Sequence, residues 1–146
     1  MKVSCTVNGV AARLEARADE VLLDVLRREL GLTSVRPTCG IGVCGSCTAL
    51  LDGEPVSSCL LLAPLAEGRE ITTVEGLDDH PVQRAFVEAH AFQCGYCTPG
   101  MILTAACLLD ENPSPSDEEI ALGLAGNLCR CGCYLKITEA VRTAAA

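Results

Sequence analysis

The chain has 146 residues, 49% of them apolar, and a formal net charge of −8, which is enough for one ordinary domain or two small ones with a packed core. Aromatic residues make up only 3% and there is no Trp, so the core has to come from Val, Leu, Ile and Ala, and light cores of this kind often need covalent or metal staples. An acidic chain without a Lys/Arg run is poorly suited to nucleic acid, and no apolar stretch reaches the ~18 residues of a membrane span.

Residues 2–7 alternate, with Val3, Cys5 and Val7 on one face. Asn8-Gly9 then supplies a hairpin turn, since both residues tolerate positive φ, and residues 10–16 form the expected returning strand. Asp19 is placed to cap a helix whose Leu22, Leu23, Leu26 and Leu30 recur at helical spacing and which Gly31 can end. After a cysteine-rich loop, residues 48–51 and 55–58 flank Asp52-Gly53, a second hairpin signal, and residues 70–74 read as one more short strand. Two hairpins around one helix predict an α+β domain of the β-grasp kind. Glu75 to His80 is the natural joint. Beyond it, residues 81–91, 100–110, 117–125 and 134–145 have helical length and period, with boundaries marked by Pro81, Pro99, Asn112-Pro113, Ser116 and Gly126-Asn127. Four short helices imply a small bundle. The expected organisation is therefore two domains, 1–76 and 77–146.

The N-terminus runs straight into strand-like alternation, with no basic segment followed by an apolar run. The expected compartment is the cytoplasm, where thiols stay reduced. Eleven cysteines then point to metal ahead of disulfides, and an odd number suits full pairing poorly.

Cys39, Cys44 and Cys47 form C-x4-C-x2-C, followed by a distant Cys59. This is the spacing of a plant-type 2Fe–2S site. A rhombic cluster has to be wrapped by a loop that supplies several thiolates and turns its amides inward, so that N–H groups stabilise the added electron. Backbone so close to metal favours residues without a Cβ, and Gly40, Gly42 and Gly45 are interleaved among the ligands. A zinc knuckle would prefer two short C-x2-C-like pairs; buried thiols are the blander alternative.

Cys94-Gly95-Tyr96-Cys97 and Cys129-Arg130-Cys131 each precede an expected helix. Orphan amides and the positive dipole end at each helix start would face a negative cluster. Crossed or antiparallel packing of the two helices would bring the pairs around one site. Taken alone, C-x2-C with C-x-C also fits a redox dithiol or zinc.

The runs Thr38-Cys39-Gly40-Ile41-Gly42-Val43-Cys44-Gly45-Ser46-Cys47, Gln93-Cys94-Gly95-Tyr96-Cys97-Thr98-Pro99-Gly100-Met101 and Gly126-Asn127-Leu128-Cys129-Arg130-Cys131, in this order, resemble the iron–sulfur subunit of molybdenum hydroxylases, the xanthine dehydrogenase family. The resemblance spans residues 3–141. It implies an N-terminal ferredoxin-like domain, a C-terminal four-helix domain, and two 2Fe–2S clusters that pass electrons from a molybdenum–pterin cofactor on a large partner subunit. Their exit would be FAD on a further subunit, or another acceptor. It implies that Cys97 is the ligand nearest the pterin and that Gln93 hydrogen-bonds the pterin.

The family usually continues C-R-C with Thr-Gly-Tyr, whereas this chain has Gly132-Cys133-Tyr134. Cys129 and Cys131 are the preferred ligands on motif grounds, with Cys133 as a buried or idle thiol or a swapped ligand. Cys5 and Cys107 read as small core hydrophobes, and His80 and His90 as surface or capping residues. No Ser–His–Asp set, phosphate-binding glycine loop or paired catalytic carboxylates appear, so the chain is not expected to be catalytic by itself. Two rival readings remain, a free-standing ferredoxin-type carrier and a zinc-stapled interaction module.

Overall fold

The computed structural model describes residues 1–145. Strand β1 (Lys2–Val7) turns at Asn8-Gly9 into β2 (Val10–Glu15), which pairs with it antiparallel from Lys2↔Glu15 to Val7↔Val10. Asn8 and Gly9 have φ of 51° and 77°, the left-handed pair that a tight hairpin needs. Helix α1 (Leu22–Leu30) follows and ends on Gly31 at φ 65°. Strands β3 (Thr48–Leu51) and β4 (Glu54–Ser57) form the second hairpin around Asp52-Gly53, and β5 (Glu70–Thr72) closes the sheet. The strand order is β2-β1-β5-β3-β4, with β5 parallel to β1 and antiparallel to β3. Helix α1 lays Leu22, Leu23, Val25 and Leu26 on the sheet, against Val3, Val7, Leu14, Ala49, Leu51 and Ile71. This is the expected β-grasp, ferredoxin-like half.

Two local expectations need correction. Asp19 does not cap α1; Val21 occupies that place without a side-chain bond, and Asp19 pairs with Arg17 at 3.0 Å. Val21 is bridged to Leu62, and the first helical amides, those of Leu22 and Leu23, donate to the carbonyls of Leu61 (2.7 Å) and Ser58 (3.1 Å). Backbone from a distant segment has replaced the cap. The fifth strand is also shorter than expected, because Val74–Gly76 coil into a 3-10 turn. Asn8 holds that turn in place. It donates to the Thr73 hydroxyl at 2.9 Å and accepts from the Thr73 amide at 2.8 Å.

The second half is helical: α2 (Pro81–Glu88), α3 (Thr98–Glu111), α4 (Asp117–Gly123) and α5 (Tyr134–Ala145). Its own core is Val82, Phe86, Met101, Ala105, Ile120, Ile137, Ala140 and Val141. His80 caps α2 by accepting from the Val82 amide at 3.2 Å, while Gln83 returns a carboxamide oxygen to the His80 amide at 3.0 Å. Ser116 and Glu119 do the same for α4. Helix α3 also packs on β3 and β4, so β3 is buried on every residue. That docking corrects the expectation for Cys107: it is only half-buried, and its thiol points at the Gly53 carbonyl of the hairpin, 3.4 Å away. Cys5 does lie in the first core. Among the described residues no helix is long and apolar enough to cross a membrane.

Candidate metal centres

The loop between α1 and β3 carries Cys39, Cys44 and Cys47, and the turn after β4 carries Cys59. The four thiols come together in pairs: Cys39 with Cys44, and Cys47 with Cys59. The amides of Ile41, Cys44 and Val43 face the Cys39 sulfur and, with the Cys44 thiol, draw its pKa down to about 6. Burial, then the neighbouring Cys47 thiol, pushes Cys59 up to about 11. The thiolate is the form that binds metal, so this loop has an acidified ligand already cradled by inward amides. Gly40, Gly42 and Gly45 have φ of 66°, 75° and 70°, the torsions that let the loop curl so tightly.

Gly45 has a second constraint that sequence reading did not find. A Cβ there would stand 2.5 Å from the Gly126 carbonyl and from Asn127 Nδ2. The closeness is to the helical half. Buried Asn127 donates to the Gly45 carbonyl at 3.2 Å, and the Leu128 amide donates to the Cys44 carbonyl at 2.9 Å.

In the second half, Cys94 and Cys97 precede α3 and Cys129 and Cys131 precede α5, as the sequence predicts. Again the thiols pair: Cys94 with Cys131, and Cys97 with Cys129. The Tyr96 amide, 3.5 Å from Cys94 Sγ, lowers the Cys94 pKa, helped by the Cys131 thiol. Burial, then the Cys129 thiol, raises Cys97 to about 12. At Cys129 burial acts upward but is outweighed by the Cys133 amide and the Cys97 thiol, so its pKa falls. Cys133 stands beside this group; its amide donates to Cys129 Sγ at 3.4 Å and its thiol also meets Cys129. Gln93 is exposed, immediately before Cys94, and His90 is exposed as well.

A cavity of about 450 Å³ runs between the two sites, lined by Cys44 and Ser46 from one and by Cys94, Cys97 and Cys129 from the other. Thr98 Oγ1, next to Cys97, is buried without a hydrogen-bond partner. Among the described residues no three His, Cys, Asp or Glu side chains gather as a single-ion site. Soft thiol donors in twos, inward amides and an unsatisfied hydroxyl suit a group with two metal atoms and several sulfurs better than one ion. Arg36, whose Nη1 donates to the Gly95 carbonyl, Gly100, where a Cβ would strike the Gly45 carbonyl, and Asn127 are the contributors that sequence reading missed. Asn127 and Gly100 sit inside motifs already singled out, whereas a lone arginine ahead of a cysteine loop gives no signal.

Two family models match, a [2Fe-2S] binding domain over residues 73–142 and a 2Fe-2S iron-sulfur cluster binding domain over residues 10–94. The nicotinate dehydrogenase small FeS subunit of Eubacterium barkeri is 50% identical, over 97% of this chain and 93% of its own length. A probable xanthine dehydrogenase subunit of Bacillus subtilis is 49% identical, over 88% of this chain and 76% of its own. In the crystal structure of quinoline 2-oxidoreductase from Pseudomonas putida 86, one chain superimposes with a TM-score of 0.96 at 45% identity, covering 99% of this chain and 93% of that one. The chain belongs to the iron–sulfur subunits of the molybdenum hydroxylase, or xanthine dehydrogenase, family.

Proposed function

We propose that Cys39, Cys44, Cys47 and Cys59 hold one 2Fe–2S cluster and that Cys94, Cys97, Cys129 and Cys131 hold another, in domains 1–76 and 77–146 respectively. The observation that carries this assignment is that these eight thiols meet in pairs, Cys39 with Cys44, Cys47 with Cys59, Cys94 with Cys131 and Cys97 with Cys129, with Cys133 also meeting Cys129. One pair per iron is the demand of a binuclear cluster, whereas a zinc tetrahedron would draw all four to one point. Each cluster, when bound, supplies a one-electron carrier.

The chain's own residues position the sulfurs, hold the loop amides toward them, and keep the two sites in contact through the Leu128–Cys44 hydrogen bond. Gly40, Gly42 and Gly45 supply the left-handed torsions around the first group. The partner is a large subunit with a molybdenum–pterin cofactor on the side of Cys97, and Gln93, exposed just before Cys94, hydrogen-bonds the pterin. Electrons leave from the first group toward FAD on a further subunit, or toward another acceptor. The complex works in the cytoplasm.

Anaerobic purification of the complex tests this assignment. The chain should copurify with a large subunit, contain about four irons and four sulfides, and give two distinct 2Fe–2S resonances in electron paramagnetic resonance (EPR) after reduction. Clearly lower iron and sulfide, or a stable lone chain that serves a separate reductase, would refute it.

A further inference from the structure

One cation reaches across from the first half to the loop of the second thiol group. Arg36 Nη1 donates to the Gly95 carbonyl at 2.6 Å and to the Tyr96 carbonyl at 2.8 Å. Its guanidinium carbon lies 5.1 Å from the centroid of the Tyr96 ring. The Tyr96 hydroxyl donates back to the Pro37 carbonyl at 2.8 Å. The contacts join a segment just ahead of Cys39 to the two residues between Cys94 and Cys97.

Peptide geometry gives this clamp a consequence. The C=O and N–H of one peptide unit point in opposite directions. With the Gly95 carbonyl held outward by Arg36, the N–H of Tyr96 is turned inward, and it donates to Cys94 Sγ at 3.5 Å. The Tyr96 carbonyl shares its unit with the Cys97 amide, which faces its own thiol. The one charged Nη1 shared by both carbonyls also polarises each unit and strengthens what its N–H donates.

We infer that Arg36 is a positioning residue for the second site: by holding and polarising the 95–96 and 96–97 peptides, it makes the group bound at Cys94 and Cys97 easier to reduce. The inference rests on the ligand assignment proposed above. The direction follows from charge, because inward N–H groups favour the state with the extra electron. Lysine would keep the charge but lose the planar guanidinium that lies over the Tyr96 ring and aims its Nη1 at both carbonyls.

The test is an EPR-monitored redox titration of the full chain with both clusters loaded, in wild type, Arg36→Gln, Arg36→Lys and Tyr96→Phe. Arg36→Gln is expected to lower the equilibrium constant for reducing the second cluster roughly tenfold, about 59 mV for a one-electron couple, with the first cluster's potential unmoved. Arg36→Lys should fall between, and Tyr96→Phe, which keeps its ring under the guanidinium but loses the bond to the Pro37 carbonyl, should shift by less than Arg36→Gln; a larger shift in Tyr96→Phe would overturn the role of Arg36. Should Arg36→Gln fail to load the second site, Arg36→Lys decides by the same shift. A second-cluster potential unchanged in both Arg36 variants, or an equal shift of both clusters, would overturn the role of Arg36 alone. Failure of the wild type to give two 2Fe–2S signals would overturn the ligand assignment and this inference together.

Discussion

Replacing Gly100 by alanine puts a methyl group onto the Gly45 carbonyl oxygen, closer than the 3.0 Å that Cβ contacts respect. Gly100 lies in the first turn of α3 at an ordinary helical torsion, so the substitution tests the contact and not the backbone. The helix or the loop has to retreat by about 1 Å to restore van der Waals distance. Overpacking of that kind costs about 1–3 kcal/mol. The same carbonyl accepts from the Thr48 hydroxyl at 2.7 Å and from Asn127 at 3.2 Å, and disturbing one buried bond adds ~1 kcal/mol. Alanine's helix propensity returns up to ~1 kcal/mol, leaving a net loss of about 1–3 kcal/mol. For a chain of this size that is a fall in Tm of roughly 3–9 °C. Anaerobic thermal melts of the loaded chain, followed by far-UV circular dichroism, measure it. Gly126→Ala is the control, since a Cβ there meets nothing within 4 Å. A Gly100→Ala protein with a Tm equal to or above wild type would refute the contact, because propensity alone would then be acting.

Cys133→Ser should keep about four irons and both EPR signals, whereas Cys131→Ser should lose the second signal; the reverse pattern would make Cys133 the ligand. The eleven cysteines less the eight proposed ligands leave Cys5, Cys107 and Cys133, so alkylation of the native loaded protein followed by mass spectrometry should modify no others. After acid and chelator all eleven should react, and early labelling of Cys39 or Cys94 in loaded protein would contradict the assignment. The Glu75 carboxyl, partly buried, is nevertheless held below its ordinary pKa, because the hydroxyls of Ser34 and Thr73 outweigh the upward effect of burial. A depressed folded value stabilises fully above the unfolded pKa of ~4.3 and fades as pH falls through the folded one. The Tm gap between wild type and Glu75→Gln, measured on metal-free chain, should therefore be widest near neutrality and shrink as pH drops through that window.

The features legible in the sequence are those whose cause is local. Asn8-Gly9 and Asp52-Gly53 announce hairpins because the left-handed torsion is a property of the residues themselves. Gly31 ends α1 for the same reason. The cysteine groupings are legible because ligand spacing along a loop is fixed by the cluster's size. Asp19 misleads because the amides it would cap find carbonyls from residues 58 and 61, which only tertiary folding brings near. Cys107 misleads because its face of α3 meets a hairpin loop, not a core. Arg36 gives no signal, and Asn127, although inside a quoted motif, does not reveal its contact, for a related reason: their partners lie 59 and 82 residues away in the chain. No pattern within one loop encodes the other loop's carbonyls.

The near-touching of Gly45 and Gly100 has a consequence for how such chains can be recombined. A half grafted onto a foreign counterpart keeps its full stability only where the incoming surface also leaves room for a bare peptide, since any side chain at position 100 collides with the opposing backbone. Chimeras that join a ferredoxin-like half from one relative to a helical half from another should therefore lose stability wherever these two positions are not both glycine.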